Sequence, residues 1–206
     1  MIISDVLMPE KTGYEMCCEL KNDIRTDHIP IILLTAKIED KWRIKGLSCG
    51  ADAYLAKPFI KEELFITIEQ LIIKKNKLIL KFNKDYTSLV QKNRSTKDGS
   101  KFIDKTIQLL LKNIDDSNYG PKQLAEELNL SESQVYRKLK ALTDKSTSIF
   151  IRSVRLEEAR NLLETTDKSI SEIAYDTGFS DPSWFSRTFK ETYGHNPSSH
   201  VDSIRT

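Results

Sequence analysis

The stretch IAYDTGFSDPSWFSRTFK (residues 173–190) repeats the pattern of an earlier stretch, LAEELNLSESQVYRKLK (residues 124–140). Ala125 aligns with Ala174 at an offset of 49 residues, and Arg137 aligns with Arg187 at an offset of 50. Each copy predicts a short helix, a turn and a longer helix, and the small alanine permits close helix crossing. The repeat therefore predicts two helix-turn-helix motifs.

The region around this repeat is expected to be all-α. From residue 100 onward strand signals disappear, and helical patterns follow one another at 101–113, 121–128, 132–143, 147–164, 170–176 and 182–193. The segment 147–164 joins the two motifs, and its roughly 18 residues give about 27 Å of helix. That length is of the right order to place two recognition helices one duplex turn, about 34 Å, apart.

The longer helix of each motif carries polar and cationic residues opposite its apolar stripe. We expect DNA contacts from Ser133, Gln134, Tyr136, Arg137, Lys138 and Lys140 in the first motif, and from Ser183, Trp184, Ser186, Arg187 and Lys190 in the second. Arginine can hydrogen-bond guanine edges, whereas lysine and serine more often hold phosphates. A solvated helix face is the alternative for one such helix, and the matched pair favours DNA binding.

The first third of the chain predicts an α/β fold. Strands are expected at 2–6, 29–36 and 52–59, and they alternate with helices expected at 13–22, at 39–48 and from residue 62 onward. The run 29–36 is rich in Ile and Leu without alternation, and apolar strands that alternate with helices are typical of a parallel sheet covered on both faces. Apolar residues at helical spacing in the last helix favour either packing on the sheet or a dimer seam, which Lys75 would interrupt.

Three polar residues lie at the carboxyl ends of the three predicted strands, namely Asp5, Thr35 and Lys57. Because ligand sites in parallel sheets form beyond the carboxyl ends of the strands, these side chains are expected to converge. A carboxylate can attack phosphorus to form an acyl phosphate, and an ammonium and a hydroxyl can hold the phosphoryl oxygens. Each residue alone would more often be a helix cap or a solvated side chain, and three together favour phosphoryl chemistry.

The segments DVLMP, LLTA and KPF around these residues resemble the receiver domain of bacterial response regulators. The resemblance implies a flavodoxin-like fold in which Asp5 is the phosphoacceptor, Thr35 the switch hydroxyl and Lys57 the invariant lysine. It also implies that Tyr54 is the aromatic switch residue and that the Lys57-Pro58 bond is cis, as X-Pro bonds can be.

A complete receiver has two further strands and helices before this point, with an acidic pair that binds Mg²⁺. We therefore expect a truncated receiver, arising from a fragment or a wrongly assigned start, whose strand 2–6 is an exposed edge. Asp5 would belong to an incomplete Mg²⁺ site, and we expect no tightly bound cofactor. An acyl-phosphate donor is expected to label Asp5 weakly here and well in an N-terminally extended version.

The stretch EIAYDTGFSDPSWFSRTFKETYGHNPSSH (residues 172–200) resembles the DNA-binding domain of AraC-family transcription regulators. The resemblance implies base contacts from Ser133, Tyr136 and Arg137 and from Ser183 and Arg187, with Trp184 beside them. His200 stands where the family has an aromatic residue, and we expect a looser C-terminal end. A receiver joined to such a domain resembles the output end of hybrid two-component systems, which implies a histidine kinase as phosphodonor.

The predicted domains are a truncated receiver with an extended last helix (1–80), a linker (81–100) and a double helix-turn-helix domain (101–206). The first hypothesis is a DNA-binding regulator gated by phosphorylation of Asp5. The second is a constitutive DNA binder whose receiver remnant only dimerises or is vestigial. A phosphoryl-transfer enzyme is the weakest alternative, because the sequence has no G-x-x-x-x-G-K-[ST] loop, and no catalytic residue is predicted.

Composition is that of an ordinary globular protein, with 206 residues, 39% hydrophobic residues and a formal net charge of +2. The near balance of charge means that a DNA-binding surface must be a local patch. No apolar run approaches the roughly 20 residues of a membrane span, so we expect no membrane contact. The odd cysteine count predicts thiols in a reducing cytoplasm.

Overall fold

The computed structural model describes residues 1–36, 49–92 and 101–205. It divides the chain into two compact units, Met1–Phe82 and Asn83–Thr206. The helix predicted at 39–48 lies outside the described residues, as do residues 93–100 of the predicted linker. None of the described helices combines the length and the apolar character that crossing a bilayer requires.

The first unit contains a parallel sheet of three described strands, β1 (Ile2–Asp5), β2 (Ile31–Thr35) and β3 (Ala53–Ala56), in the order β1-β2-β3. Helix α1 (Gly13–Asn22) packs on one face of the sheet, where it contributes to a core of Val6, Tyr14, Cys17, Ile31 and Leu33. The parallel sheet and the edge position of β1 agree with the sequence prediction.

Gly13 is needed where the chain turns from β1 into α1. Its backbone N–H donates to the carbonyl oxygen of Val6 at 2.9 Å, and a Cβ there would collide with the backbone carbonyl of Asp5. The helix begins with a capping box, in which the Thr12 hydroxyl accepts from the N–H of Glu15 and the Glu15 carboxylate accepts from the N–H of Thr12. These contacts fix the loop that follows Asp5.

Helix α2 (Lys61–Lys92) is longer than predicted. Its end was expected at residue 80, with a linker over 81–100, whereas the helix continues for 12 residues into that segment. Low hydrophobicity alone does not break a helix, and the first glycine or proline after Pro58 is Gly99. Several large apolar side chains of α2 are exposed, among them Phe65, Ile66, Ile72 and Leu78.

The expectation of three thiols is wrong for two of the cysteines. Cys18 and Cys49 form a disulfide across a sequence separation of 31 residues, and Cys17 is a buried free thiol. Consecutive residues of a helix point in different directions, so Cys17 enters the core while Cys18 meets the segment before β3. Cysteine spacing alone could not reveal this pairing.

The second unit is all-helical in its described part, as predicted. Its helices are α3 (Lys101–Lys112), α4 (Pro121–Glu127), α5 (Glu132–Thr143), α6 (Thr147–Thr165), α7 (Ile170–Asp176), α8 (Pro182–Tyr193) and α9 (Pro197–Arg205). Helices α4 and α5 form the first helix-turn-helix motif, and α7 and α8 form the second. Helix α6 packs against helices of both motifs, so the two motifs are joined by packing contacts as well as by the chain itself.

The second motif is closed by an aromatic cluster around Phe189. The rings of Phe185 and Tyr193 lie 5.7 and 4.6 Å from that of Phe189. His200 packs edge-on against Phe189 at 5.8 Å, stacks on His195 at 5.0 Å and hydrogen-bonds Glu164 at 3.1 Å. His200 thus fills the aromatic position, contrary to the looser end expected from the sequence.

Candidate nucleic-acid interface and phosphoryl-acceptor edge

Asp5, Thr35 and Lys57 meet at the carboxyl edge of the sheet, as their positions after parallel strands predict. The Lys57 ammonium donates to the Asp5 carboxylate, and the N–H of Leu7 donates to its other oxygen at 3.1 Å. The Lys57 hydrogen bond, with help from Leu7, holds the pKa of Asp5 below its ordinary value. The carboxylate is therefore ionised at neutral pH, as a nucleophile must be. The Lys57-Pro58 bond is cis, as expected.

The other two residues of the predicted receiver switch differ in their surroundings. Burial raises the pKa of Tyr14, and a hydrogen bond with Thr35 opposes that rise, so the Thr35 hydroxyl contacts the α1 side of the edge. Tyr54 packs against the core below the edge, and burial raises its pKa as well. Within the described parts of the chain, its buried hydroxyl has no hydrogen-bond partner.

The residues at this edge do not by themselves fit a Mg²⁺ site. Magnesium requires an octahedron of oxygen ligands, in which protein carboxylates are combined with water. Over residues 1–36, 49–92 and 101–205, no three His, Cys, Asp or Glu side chains cluster closely enough to hold a metal. Asp5 supplies one carboxylate, and that carboxylate is engaged by Lys57.

Helix α5 is positioned by a capping box at its start. The Ser131 hydroxyl accepts from the N–H of Gln134 at 3.3 Å, and the Gln134 side-chain oxygen accepts from the N–H of Ser131 at 2.8 Å. Gln134, predicted to contact DNA, is thus partly committed to the helix terminus. Helix α8 instead begins at Pro182, and its N-cap Asp181 accepts from the N–H of Ser183 at 2.8 Å.

Arg137 and Arg187 occupy equivalent places and hold equivalent conformations. Both are exposed, and each Nε donates to the backbone carbonyl four residues earlier, Ser133 at 3.2 Å and Ser183 at 3.4 Å. Each bond uses one of the five guanidinium donors, and it directs the side chain back toward the helix start. The two helices thus present the same group at the same level.

Lys138 does not belong to the outward face, and its prediction as a DNA contact is wrong. Only 2% of Lys138 is exposed, and its ammonium lies 4.7 Å from the ring centroid of Phe102 in α3. The equivalent position of the repeat holds the uncharged Thr188, and the structure shows that Thr188 is also buried. The position faces the core in both motifs, and the aliphatic stem of lysine can fill it.

The remaining predicted contacts lie on the outward side, and they differ in exposure and in whether they form an ion pair. Lys140 is exposed and pairs with Asp144 at 2.7 Å, which raises the pKa of Lys140 through the hydrogen bond between them. The equivalent Lys190 is exposed and faces Gly194 in place of an acid at the helix end. Among the uncharged predicted contacts, Ser133, Tyr136 and Ser183 are exposed, and Ser186 is half-buried.

Trp184 is only partly available to a ligand. It is 40% exposed, and its ring packs against Phe179 at a centroid distance of 5.2 Å. The guanidinium of Arg152 in α6 lies 5.8 Å from the Trp184 ring, a cation–π contact. Arg152 was missed in the sequence because it lies on the connecting helix, outside the repeat.

Comparison with known families agrees with this architecture. Residues 1–69 match the family model of the response regulator receiver domain, and residues 124–202 match that of a helix-turn-helix domain. Residues 1–69 are thus similar to a receiver domain, and residues 124–202 to an AraC-type helix-turn-helix domain. Both families are regulatory and neither is a family of enzymes.

Two curated proteins and one solved structure illustrate the similarity. Histidine kinase P4 of Formosa agariphila is 32% identical over 97% of this chain and 15% of its own length. Probable transcriptional regulator ycf29 of Pyropia yezoensis is 47% identical over 35% of this chain and 32% of its own. The C-terminal domain of AraT, a response regulator from Geobacillus stearothermophilus, is 28% identical with a TM-score of 0.46, covering 50% of this chain and 86% of that chain. The chain thus spans a third or less of these two curated relatives.

Proposed function

We propose that this receiver–AraC chain is a sequence-specific DNA-binding transcription regulator of a two-component system. The observation that carries the proposal is the matched pair of recognition helices. In each, an exposed arginine is followed three residues later by an exposed lysine, as Arg137 and Lys140 in α5 and as Arg187 and Lys190 in α8. A solvated helix face has no reason to repeat this pattern.

Double-stranded DNA is the partner that fits these helices. Arg137 and Arg187 would contact base edges in successive segments of the major groove, together with Ser133, Tyr136, Ser183 and Trp184. Lys140 and Lys190 would hold flanking phosphates. The 19 residues of α6 correspond to about 28 Å of helix, which suits two contacts on one face of a duplex.

Phosphorylation of Asp5 would gate this binding. In the step we propose, a carboxylate oxygen of Asp5 attacks the phosphorus of a phosphohistidine on a histidine kinase. The P–N bond breaks, the histidine nitrogen leaves with the electron pair, and an acyl phosphate remains on Asp5. Lys57 and Thr35 would then hold the new phosphoryl oxygens. The reaction would take place in the cytoplasm, where DNA is accessible.

A constitutive DNA binder is the second candidate, and two observations favour it. The described edge offers one carboxylate where a phosphoacceptor site needs metal ligands. The exposed apolar side chains of α2, including Phe65 and Ile72, would suit a receiver remnant that only forms homodimers. In that case residues 1–80 would contribute association, and residues 101–206 would contribute the DNA affinity.

A binding titration with and without phosphodonor separates the candidates. The chain would be titrated onto DNA selected from a random pool, before and after treatment with acetyl phosphate, with Asp5→Asn as the matched control. A gated regulator changes affinity on treatment only when Asp5 is present. Equal affinity in all four measurements would leave the constitutive binder, and absence of selective binding would refute both.

A further inference from the structure

A polar contact ties the two helix-turn-helix motifs together at Arg155 of helix α6. Its Nη1 donates to the carbonyl oxygen of Gly178 at 3.1 Å. Its Nη2 donates to the carbonyl oxygens of Asp116 at 2.6 Å and of Tyr119 at 3.2 Å. One guanidinium group therefore holds three backbone carbonyls that come from two separate segments of the chain.

These two segments are the ones that place the recognition helices. Gly178 lies in the turn of the second motif, between α7 and α8, while Asp116 and Tyr119 lie in the loop that leads into α4 of the first motif. The fork geometry of arginine suits carbonyls that diverge in this way, which a lysine ammonium on a thinner stem does not reproduce. Arg155 therefore restrains both motifs against the same connecting helix.

The backbones of the two segments also approach each other directly. Gly178 adopts φ +75°, and a Cβ there would collide with the Ile114 carbonyl and come within 2.9 Å of the Arg155 guanidinium. A glycine is thus required where the turn of the second motif meets the loop before the first. The turn of the second motif, the loop before the first motif and the Arg155 guanidinium therefore lie in close contact at one point.

The surroundings make this contact specific to arginine. Arg155 lines a cleft of about 190 Å³ together with residues that include Tyr119, Ser148, Arg152 and Trp184. Burial lowers the pKa of the Arg155 guanidinium and the nearby Asp116 charge opposes that change, so the group remains charged at neutral pH. Hydrogen bonds from a charged donor are stronger than neutral ones, so Arg155 holds these carbonyls more firmly than a neutral side chain would.

We propose that Arg155 is a positioning residue that fixes the relative orientation of the recognition helices α5 and α8. It thereby sets the spacing between the two half-sites that a single chain accepts. The inference rests on the proposed function for its consequence in DNA recognition, whereas the orientation itself is a property of the protein alone. Loss of Arg155 widens the range of orientations, so the chain tolerates half-sites that are out of phase.

The first test measures orientation without DNA. Spin labels carried by genetically encoded residues at the exposed positions Glu132 and Glu191 report the distance between α5 and α8 in the full chain. The wild type should give a narrow distance distribution, and Arg155→Met should give a broad one. Arg152→Met is the matched control, because Arg152 lies in the same cleft but stacks on Trp184 of one motif, and its distribution should stay narrow.

The second test measures the consequence on DNA selected by the wild-type chain. Inserting one base pair between the half-sites rotates one site relative to the other, and the wild type should lose affinity sharply. For Arg155→Met the ratio of affinities for the original and the extended DNA should fall by on the order of ten-fold, the equivalent of losing hydrogen bonds from a charged group. Arg152→Met should keep the wild-type ratio.

The outcomes separate this proposal from the proposed function. A narrow distribution in the wild type and a broad one in Arg155→Met would support the positioning role. If the wild type then bound no DNA selectively, the proposed regulator function would be refuted. A narrow distribution in Arg155→Met would overturn the positioning role whatever the DNA result. If the methionine variant does not fold, Arg155→Lys decides, because a lysine reaches one of the two segments and its distribution should still broaden. An unchanged lysine variant overturns the proposal.

Discussion

The two recognition helices show what a duplicated motif keeps and what it changes. Both begin at a side-chain N-cap and end at a left-handed residue, Asp144 in α5 and Gly194 in α8. Both present an arginine and a lysine three residues apart on the exposed side. The third cation of α5, Lys138, is withdrawn into the core at a position where α8 has a buried threonine. The comparison teaches that the two helices share the exposed arginine–lysine pair, whereas the additional cation of α5 packs in the core.

The largest expected effect concerns the matched core positions Leu139 and Phe189. Phe189→Ala should cost about 3–5 kcal/mol of the free energy of unfolding, because it removes the centre of the aromatic cluster, and Leu139→Ala about 2–5 kcal/mol. Urea unfolding of a Trp42→Phe background, followed by Trp184 fluorescence, measures both. The exposed Glu191→Ala should stay within about 0.5 kcal/mol of the background. A loss below about 0.5 kcal/mol for either variant would contradict the assignment of that position to the core.

The next effect tests whether the matched arginines have matched roles. Arg137→Ala and Arg187→Ala should each cost about 1–3 kcal/mol of specific affinity and relax selectivity at one base position. The two relaxed positions should lie in different half-sites. Fluorescence anisotropy with single-base variants of the selected DNA measures this. If either variant lost affinity equally for random DNA, that arginine would be a phosphate contact and the equivalence of the motifs would fail.

At the position of the buried Lys138, the residue of the first motif can be replaced by its equivalent from the second. Lys138→Thr gives α5 the residue that α8 has, and it should cost about 0.5–2 kcal/mol of stability through loss of the contact with Phe102. The slope of log affinity against log salt concentration should stay unchanged. Lys190→Ala, the control on the surface, should instead reduce that slope by about 1 and leave stability unchanged. A reduced slope for Lys138→Thr would place its ammonium on the DNA.

The smallest effect concerns the helix ends. Asp144→Gly gives α5 the end that α8 has and releases Lys140, so DNA affinity should rise by about two- to five-fold. Lys140 has a raised pKa, so at neutral pH its ion pair with the ionised Asp144 is present, and it is lost as pH rises through the folded-state pKa of Lys140. The gain should therefore shrink at high pH and at high salt. The reverse change, Gly194→Asp, should weaken binding, and a gain there would contradict the account.

Much of the sheet edge around Asp5 could be predicted because topology decides it. Parallel strands bring their carboxyl ends to one side, so Asp5, Thr35 and Lys57 follow from strand order without any knowledge of packing. Tyr14 was not foreseen, because its contact with Thr35 depends on how α1 lies on the sheet. The Cys18–Cys49 disulfide was missed for the same reason.

The repeat in the sequence was enough to predict the two recognition helices, but it did not predict which residues their side chains contact. The apolar stripes of the two recognition helices follow helical spacing, and Val135 and Phe185 on those stripes are fully buried. Lys138 was misplaced because its partner, Phe102, is 36 residues away, and charge alone suggested exposure. Arg155 was not singled out, because its partners are backbone carbonyls, which no sequence pattern marks. Alignment with Thr188 would have corrected Lys138, since equivalent positions share an environment.

Footprinting of the full chain on DNA selected from a random pool tests the central claim most directly. Two equivalent helices held by α6 should protect two major-groove segments on one face of the duplex, about one turn or 10.5 base pairs apart. Arg137→Ala should remove one protected segment, and Arg187→Ala the other. Recovery of no preferred DNA over bulk competitor at moderate salt would contradict the account, as would a single protected segment that both variants weaken alike.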